Sequence, residues 1–324
     1  MSGIIVKALF NPAINLMNNL SYFRKFIVLG GLSLLALLIV SISLTTHFTD
    51  SISTANKQLE GLSQSQKTSR LIQLLQQHRG TSTAALANIN ESAHRQSLVK
   101  EKVTKHLFNV SNELPIILKN TEKWFTIIEQ WDYLNTKGPS LTLEENLDLH
   151  TALIKNLNSF QLKLADHFQL LVMNDHDSYY LTNSVLFTIP ITLELLGQVR
   201  VDGVLYLKNK DNKYKKRIKK LLSNTEIPIA VFKENVRKVK MELVSSGEKI
   251  TTQSLIRGIN EHIKLTADVM LSDTQSMSSA EYYNTATSVI DVGYQFLDDS
   301  LTYTLSQLLQ SLVTQANYQL IGNI

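Results

Sequence analysis

Arg79 and Arg200 are the residues of this 324-residue chain whose spacing invites chemistry. Ile72, Leu75, Arg79, Ser82 and Leu86 fall at offsets 0, 3, 7, 10 and 14, and so do Leu193, Leu196, Arg200, Gly203 and Leu207. That spacing is the inward seam of a packed helix, and the repeat makes the two arginines equivalent positions of two related modules. A guanidinium on such a seam is expensive to bury unless its charge is met. Its rigid fork suits a carboxylate, nitrate or phosphate, and Gly80 and Gly203 leave room beside each one. The functional reading is an anion site between helices. The structural reading is an internal salt bridge, or an arginine head that escapes at the seam edge. Saturation by internal carboxylates favours a scaffold, whereas unmet donors facing a cavity favour a binding site.

A second constellation is "NDHDSYYL", residues 174–181. Asp175 and Asp177 suit a helix start, where carboxylates meet free N–H groups and the positive dipole end. Tyr179 and Tyr180 place two amphipathic rings beside them, either as a ligand-pocket rim with Arg200 or as core packing. His176 between two acids suggests a metal, but capping explains the acids better. The ligand-binding candidates are thus Arg79, His78, Arg200, Tyr179 and Tyr180, with no metal ligands, no catalytic residues and no cofactor. His78 also reads as a seam residue. Trp124 and Trp131, seven apart, belong to a core stripe. The eight histidines are scattered, and no HExxH, P-loop, GxSxG or dinucleotide fingerprint supports an enzyme.

The elements that hold these residues are helices. Twelve glycines and five prolines are few for this length, and apolar residues recur with helical period after Asp50. The expected fold is all-α, with about six helices near 50–92, 94–134, 141–174, 177–209, 213–247 and 251–319. The first and last are the longest, which suits two stacked four-helix modules that share long helices. Turn chemistry at "NTKGPS", "NDHDS", "KDNK" and "SSGEK" marks the breaks, and Thr142 with Glu145 forms a capping box for the third helix. The net charge of +4 singles out no partner, and the lack of cysteine removes disulfides and thiolate metal sites.

Residues 26–49 contain no charged side chain, and about 20 apolar residues suffice to cross a bilayer. Arg24 and Lys25 precede this stretch and Asp50 follows it, so the positive-inside rule places the N-terminus in the cytoplasm. The expected organisation is a lead-in at 1–25, a single membrane span at 26–49, an extracytoplasmic helical domain at 50–319 and an approach to a further span at 320–324. The basic run at 208–220 has eight basic residues and one aspartate. It then lies outside the cell membrane and reads as a solvated bundle tip, with anionic surfaces as the alternative and no nucleic-acid partner.

Four blocks carry a resemblance. "NPAINLMNNLSYFRKF", "LLQQHRGTS", "NDHDSYYLTNSVLFTIPITLELLGQVRVDG" and "EYYNTATSVIDVGYQFLDD" together resemble the N-terminal sensor half of bacterial methyl-accepting chemotaxis proteins. The resemblance implies an inner-membrane, periplasmic, dimeric all-helical sensor for a small molecule, and it falls on His78, Arg79, Gly80, Asp175, Asp177, Tyr179, Tyr180, Pro190, Gly197, Arg200 and Gly203. Helical sensors of similar type, nitrate- and nitrite-sensing ones included, look as though they use arginines at module interfaces for anions. Related input regions precede diguanylate cyclases and histidine kinases. The second span and signalling domain of such receptors are expected after residue 324, or else the chain works through another protein. The competing class is a ligand-free anchored scaffold or adaptor.

Overall fold

The computed structural model describes residues 10–12, 14–87, 92–173, 175–247, 250–271 and 277–322. Its elements are helices throughout, with no strand among the described residues, so the fold is all-α. They are α1 Tyr22–Leu86, α2 Ser92–Glu113, α3 Glu122–Lys137, α4 Leu143–His167, α5 His176–Asn183, α6 Ile189–Asn209, α7 Asn212–Lys238, α8 Thr252–Leu271, α9 Ser279–Phe296 and α10 Tyr303–Gly322. Two π-helical segments, Ser184–Thr188 and Leu297–Thr302, join α5 to α6 and α9 to α10.

The chain divides into two units, Met1–Thr54 with Leu312–Ile324, and Ala55–Ser311. In the first, the apolar stretch of α1 is exposed all round, from Phe26 and Leu29 through Leu35, Leu38 and Ile42. By length and composition it is able to cross a membrane. His176–Asn209 also passes that test, but its side chains are mostly buried, as befits a core helix.

The second unit is built around the remainder of α1, where Leu71 to Gln76 and His78 to Thr83 are all buried. On one side lie α2, α3 and α4. Trp124 and Trp131 enter this core as the stripe predicts, and each indole N–H finds a hydroxyl, Ser111 at 3.2 Å and Thr104 at 3.3 Å. On the other side α6, α7, α8 and α9 pack as a ring, α6 against α7 and α9, α8 against α9 and α7. The Thr142–Glu145 capping box opens α4, with both reciprocal hydrogen bonds present.

The helices break more often than the periodicity suggests. The expected helix 94–134 stops at Glu113, gives one turn at Ile116–Lys119 and restarts at Glu122 under a Thr121 cap. Pro115 drives Leu114 out of the helical region. The fifth helix ends at Lys238, not near 247, because the following backbone bonds elsewhere. The Lys240 and Met241 amides donate to Asp177, the Val244 amide donates to Thr304 and the Ser246 amide donates to the Asp299 carbonyl. The long last helix is replaced by α8, α9 and α10, since Ser278 caps a new start by accepting from the Glu281 amide. Asn174 of "NDHDS", Glu248 and Lys249 of "SSGEK", and the lead-in before residue 10 lie outside the described residues.

Close approach is enforced where α4 ends. A Cβ on Gly61 would lie 2.2 Å from the Cβ of Phe168. Gln169 beyond it turns with φ of 58°, and the Gln58 amide donates to the Gln169 and Val172 carbonyls of that turn. Gly61→Ala therefore destabilises the protein by about 2 kcal/mol or more through overpacking, and Phe168→Ala in the same chain does not restore it, because alanine keeps the Cβ that is struck and leaves a cavity where the ring was. Urea unfolding followed by circular dichroism checks both.

Candidate functional site

Both seam arginines are buried to 1% exposure, and they meet where α1, α6 and α9 converge. Each covers a glycine of the other's helix. A Cβ on Gly197 would lie 3.1 Å from an Arg79 Nη, and one on Gly80 would lie 3.3 Å from an Arg200 Nη. Gly203, the small residue expected beside Arg200, instead receives the Tyr282 ring, only 2.2 Å from where its Cβ would stand.

The two guanidinium groups have different surroundings. Arg79 forms a two-pronged ion pair with Glu194 of α6, at 2.7 Å and 3.2 Å. The same carboxylate accepts from the side-chain amides of Gln76 and Gln198, both at 2.8 Å. Tyr294 holds Gln76 in place by donating to its Oε1 at 3.2 Å. Four donors on one carboxylate satisfy it, and Arg79 has its counter-charge within the fold.

Arg200 has no carboxylate within ion-pair distance among the described residues. It donates to the Thr287 hydroxyl at 2.9 Å and to the Gln76 carbonyl at 3.0 Å, and its guanidinium lies over the Tyr283 ring at 5.0 Å. Its Nε has no protein partner. Burial pushes its pKa down, and the Arg79 charge adds to this. A guanidinium stays protonated regardless, so the fold carries a buried cation whose hydrogen-bond partners are neutral, with Asp291 and Glu194 acting on it only through space.

Around Arg200 lie further polar groups without partners. His262 is buried against Tyr282, both its ring nitrogens lack a protein partner, and burial with the Arg200 charge lowers its pKa to about 4. The Tyr282 hydroxyl is shared with Thr266 at 2.9 Å. Asp202 is 1% exposed; Arg217 Nε lies 3.2 Å away, yet neither carboxylate oxygen gains an aligned hydrogen bond. Burial raises the Asp202 pKa to about 6.

The other predicted residues are occupied elsewhere. His78 Nδ1 lies 2.8 Å from His150 Nε2, and His150 Nδ1 lies 2.7 Å from the Asn146 carbonyl. His150 therefore carries its proton on Nδ1 and accepts from His78. Burial lowers the two pKa values to about 4 and about 3, so both rings are neutral, and Trp131 meets His78 edge-on. Tyr179 is exposed, and Tyr180 packs with His176 and lies under Lys238. Asp175 caps α5 by accepting from the Ser178 amide at 2.9 Å, and Asp177 holds the chain after α7. The tyrosines thus belong to the junction of α5 and α7, and their contacts do not run to either arginine. No group of three metal-ligating side chains occurs among the described residues.

Glu194, His262 and Asp202 escaped the sequence reading. The available signal was that Glu194, Arg200 and Asp202 are the charged residues of an otherwise uncharged stretch, 189–207.

No family model matches the chain, and no curated protein matches it in sequence. In fold it is similar to the NasR transcription antiterminator, a solved structure, with a TM-score of 0.53 and 15% identity over 90% of this chain and 76% of that one. At that identity the likeness concerns the helical fold alone.

Glu194→Gln leaves Arg79 buried without its counter-charge and destabilises the protein by about 3–5 kcal/mol, while replacing Arg79 and Glu194 together by methionine is close to neutral. Urea unfolding measures the difference. Asp202→Asn behaves oppositely. The native carboxyl titrates near pH 6 and the unfolded one near 3.9, so the native state holds the extra proton between those values. Asp202 therefore withdraws stability as pH rises through that window, and the full penalty stands above it. Asp202→Asn gains about 3 kcal/mol at pH 8 and almost nothing at pH 4, read from unfolding midpoints at the two pH values.

Proposed function

We propose that this chain is the membrane-anchored, extracytoplasmic helical input region of a signal-transduction receptor of chemoreceptor type, and that it takes a small anion at Arg200. The observation that carries this reading is the Arg200 guanidinium, buried to 1% exposure with neutral hydrogen-bond partners and no carboxylate within ion-pair distance among the described residues, unlike Arg79. Retaining such a cation costs stability, and an anion supplies the missing charge. A planar oxyanion suits the fork best.

The anchor is the apolar stretch of α1, exposed on every side and preceded by Arg24 and Lys25. Because Arg200 is buried, a ligand enters only if α1, α6 and α9 part. Binding and helix displacement are then one event, and shifts of an ångström or two suffice when packing is bistable. The same helix α1 contains Gln76, whose carbonyl Arg200 holds, and the apolar stretch. His78 and Arg79 then act as the packed frame beside the site.

A second reading rests on the Arg79–Glu194 pair. An arginine whose charge is met inside the fold is what a ligand-free anchored scaffold requires, and if Arg200 binds nothing, that reading takes over.

The test uses the full chain in nanodiscs. Thermal unfolding, followed through Trp124 and Trp131, is measured with the sodium salts of nitrate, nitrite, formate, acetate and phosphate against chloride. One oxyanion should raise the midpoint by several degrees, and Arg200→Met should remove the shift while leaving the chain folded. A shift that survives Arg200→Met, or a silent panel, overturns the proposal.

A further inference from the structure

Helices α7 and α8 leave a groove of about 1090 Å³ between them. Its lining is periodic. On α7 the lining includes the stripe Lys215, Lys219, Leu222, Glu226, Ile229 and Lys233, at steps of four, three, four, three and four residues, flanked by Lys216, Ser223 and Ala230. On α8 it is Asn260, Ile263, Ala267 and Met270, at steps of three, four and three. Steps of three and four residues put each stripe on one face of its helix, the spacing at which side chains of an incoming helix interdigitate, with Leu222, Ile229, Ile263, Ala267 and Met270 as its apolar members. The two stripes run about 27 Å and about 15 Å along their helices, the length of several turns of an incoming one.

The charge of the groove is one-sided. Lys215, Lys216, Lys219 and Lys233 line it against the single carboxylate of Glu226. Several neighbouring cations of α7 are paired: Lys213 with Glu144, Arg217 with Asp202, and Arg237 and Lys238 with Glu234. The four groove lysines have no carboxylate within ion-pair distance among the described residues.

We propose that this groove docks an acidic amphipathic helix of a partner protein, with leucine- or isoleucine-type side chains over Leu222, Ile229, Ile263 and Ala267 and carboxylates toward the lysine rim. Spacing by three and four residues on both walls selects a helix over an acyl chain, which has no use for a 3–4 register. A second copy presenting the same face brings eight lysines together, and like charges across an interface repel. The proposal does not depend on what Arg200 binds.

The test takes the full chain in phosphatidylcholine nanodiscs and a labelled synthetic three-heptad peptide with Ile and Leu at a and d and Glu at the flanking positions. A peptide with Lys in place of Glu is the control, and anisotropy is the readout. The Glu peptide should bind saturably and the Lys peptide at least tenfold more weakly. Lys219→Glu with Lys233→Glu, both on exposed side chains, should reverse that preference. Ala267→Trp, which fills the groove, should abolish binding with the helical circular dichroism unchanged. Equal or absent binding of the two peptides, or binding that survives Ala267→Trp, overturns the proposal. A dimer in sedimentation that Ala267→Trp dissociates assigns the groove to a second copy instead. Groove labelling by a photoactivatable long-chain carboxylate, lost on Ala267→Trp, assigns it to a lipid.

Discussion

Two guanidinium groups occupy one water-poor layer of this protein, and a single carboxylate, Glu194, pairs directly within it. Glu194 sits on Arg79, with Gln76 and Gln198 completing its shell. Arg200 has Thr287, a backbone carbonyl and an aromatic face. Arg200 thus has no carboxylate in direct contact, and burial with the Arg79 charge lowers its pKa while Tyr283, Asp291 and Glu194 oppose them. Much of the local sequence follows from accommodating this layer. Gly80 and Gly197 let the cations lie against the facing helices, and Gln76 donates its side-chain amide to Glu194, the mate of Arg79, while its carbonyl accepts from Arg200.

The same layer explains why α1 carries polar side chains at its most buried positions. Gln73, Gln76, His78 and Ser82 look outward in different directions and find Asp291, Glu194, His150 and Asn146 respectively. A helix surrounded on all sides is normally apolar all round. Here these four side chains each meet a polar neighbour, and the matching constrains the rotation of α1 about its own axis, because a wrong rotation leaves buried donors unmet.

The fold class was legible from periodicity and the scarcity of breakers, and caps chosen by side-chain chemistry, Thr142 with Glu145 and Asp175, stand where their residue types place them. The seam spacing was legible too, because Arg79 and Arg200 occupy positions otherwise held by leucine. What escaped depends on partners distant in sequence. Glu194 lies one residue off the seam of Leu193 and Leu196, so no local pattern marks it as the mate of Arg79, 115 residues away. The strap after Lys238 continues a helical pattern but is pulled straight by Asp177, Asp299 and Thr304. Tyr179 and Tyr180 share a motif block with Arg200 and yet belong to a different junction, since proximity along the chain says little about which face a side chain occupies across a π-helical turn.

That turn is what aligns the arginine layer. A regular helix advances about 100° per residue, so Leu181 and Leu193, twelve apart, would stand about 120° from each other. Both are buried to 0%. The wider turn of the π-segment Ser184–Thr188 absorbs about one residue of phase, which brings the two leucines to within about 20°. The other π-segment acts likewise on Leu297, Leu301, Leu305 and Leu309, all buried at steps of four that would otherwise drift about 40° each. The two π-segments pack on each other. A rotation of α6 by one residue would carry Glu194 off Arg79 and Arg200 off Gln76 together, so the phase set at Ser184–Thr188 and the charge balance at Arg200 form a single constraint on where α6 can sit.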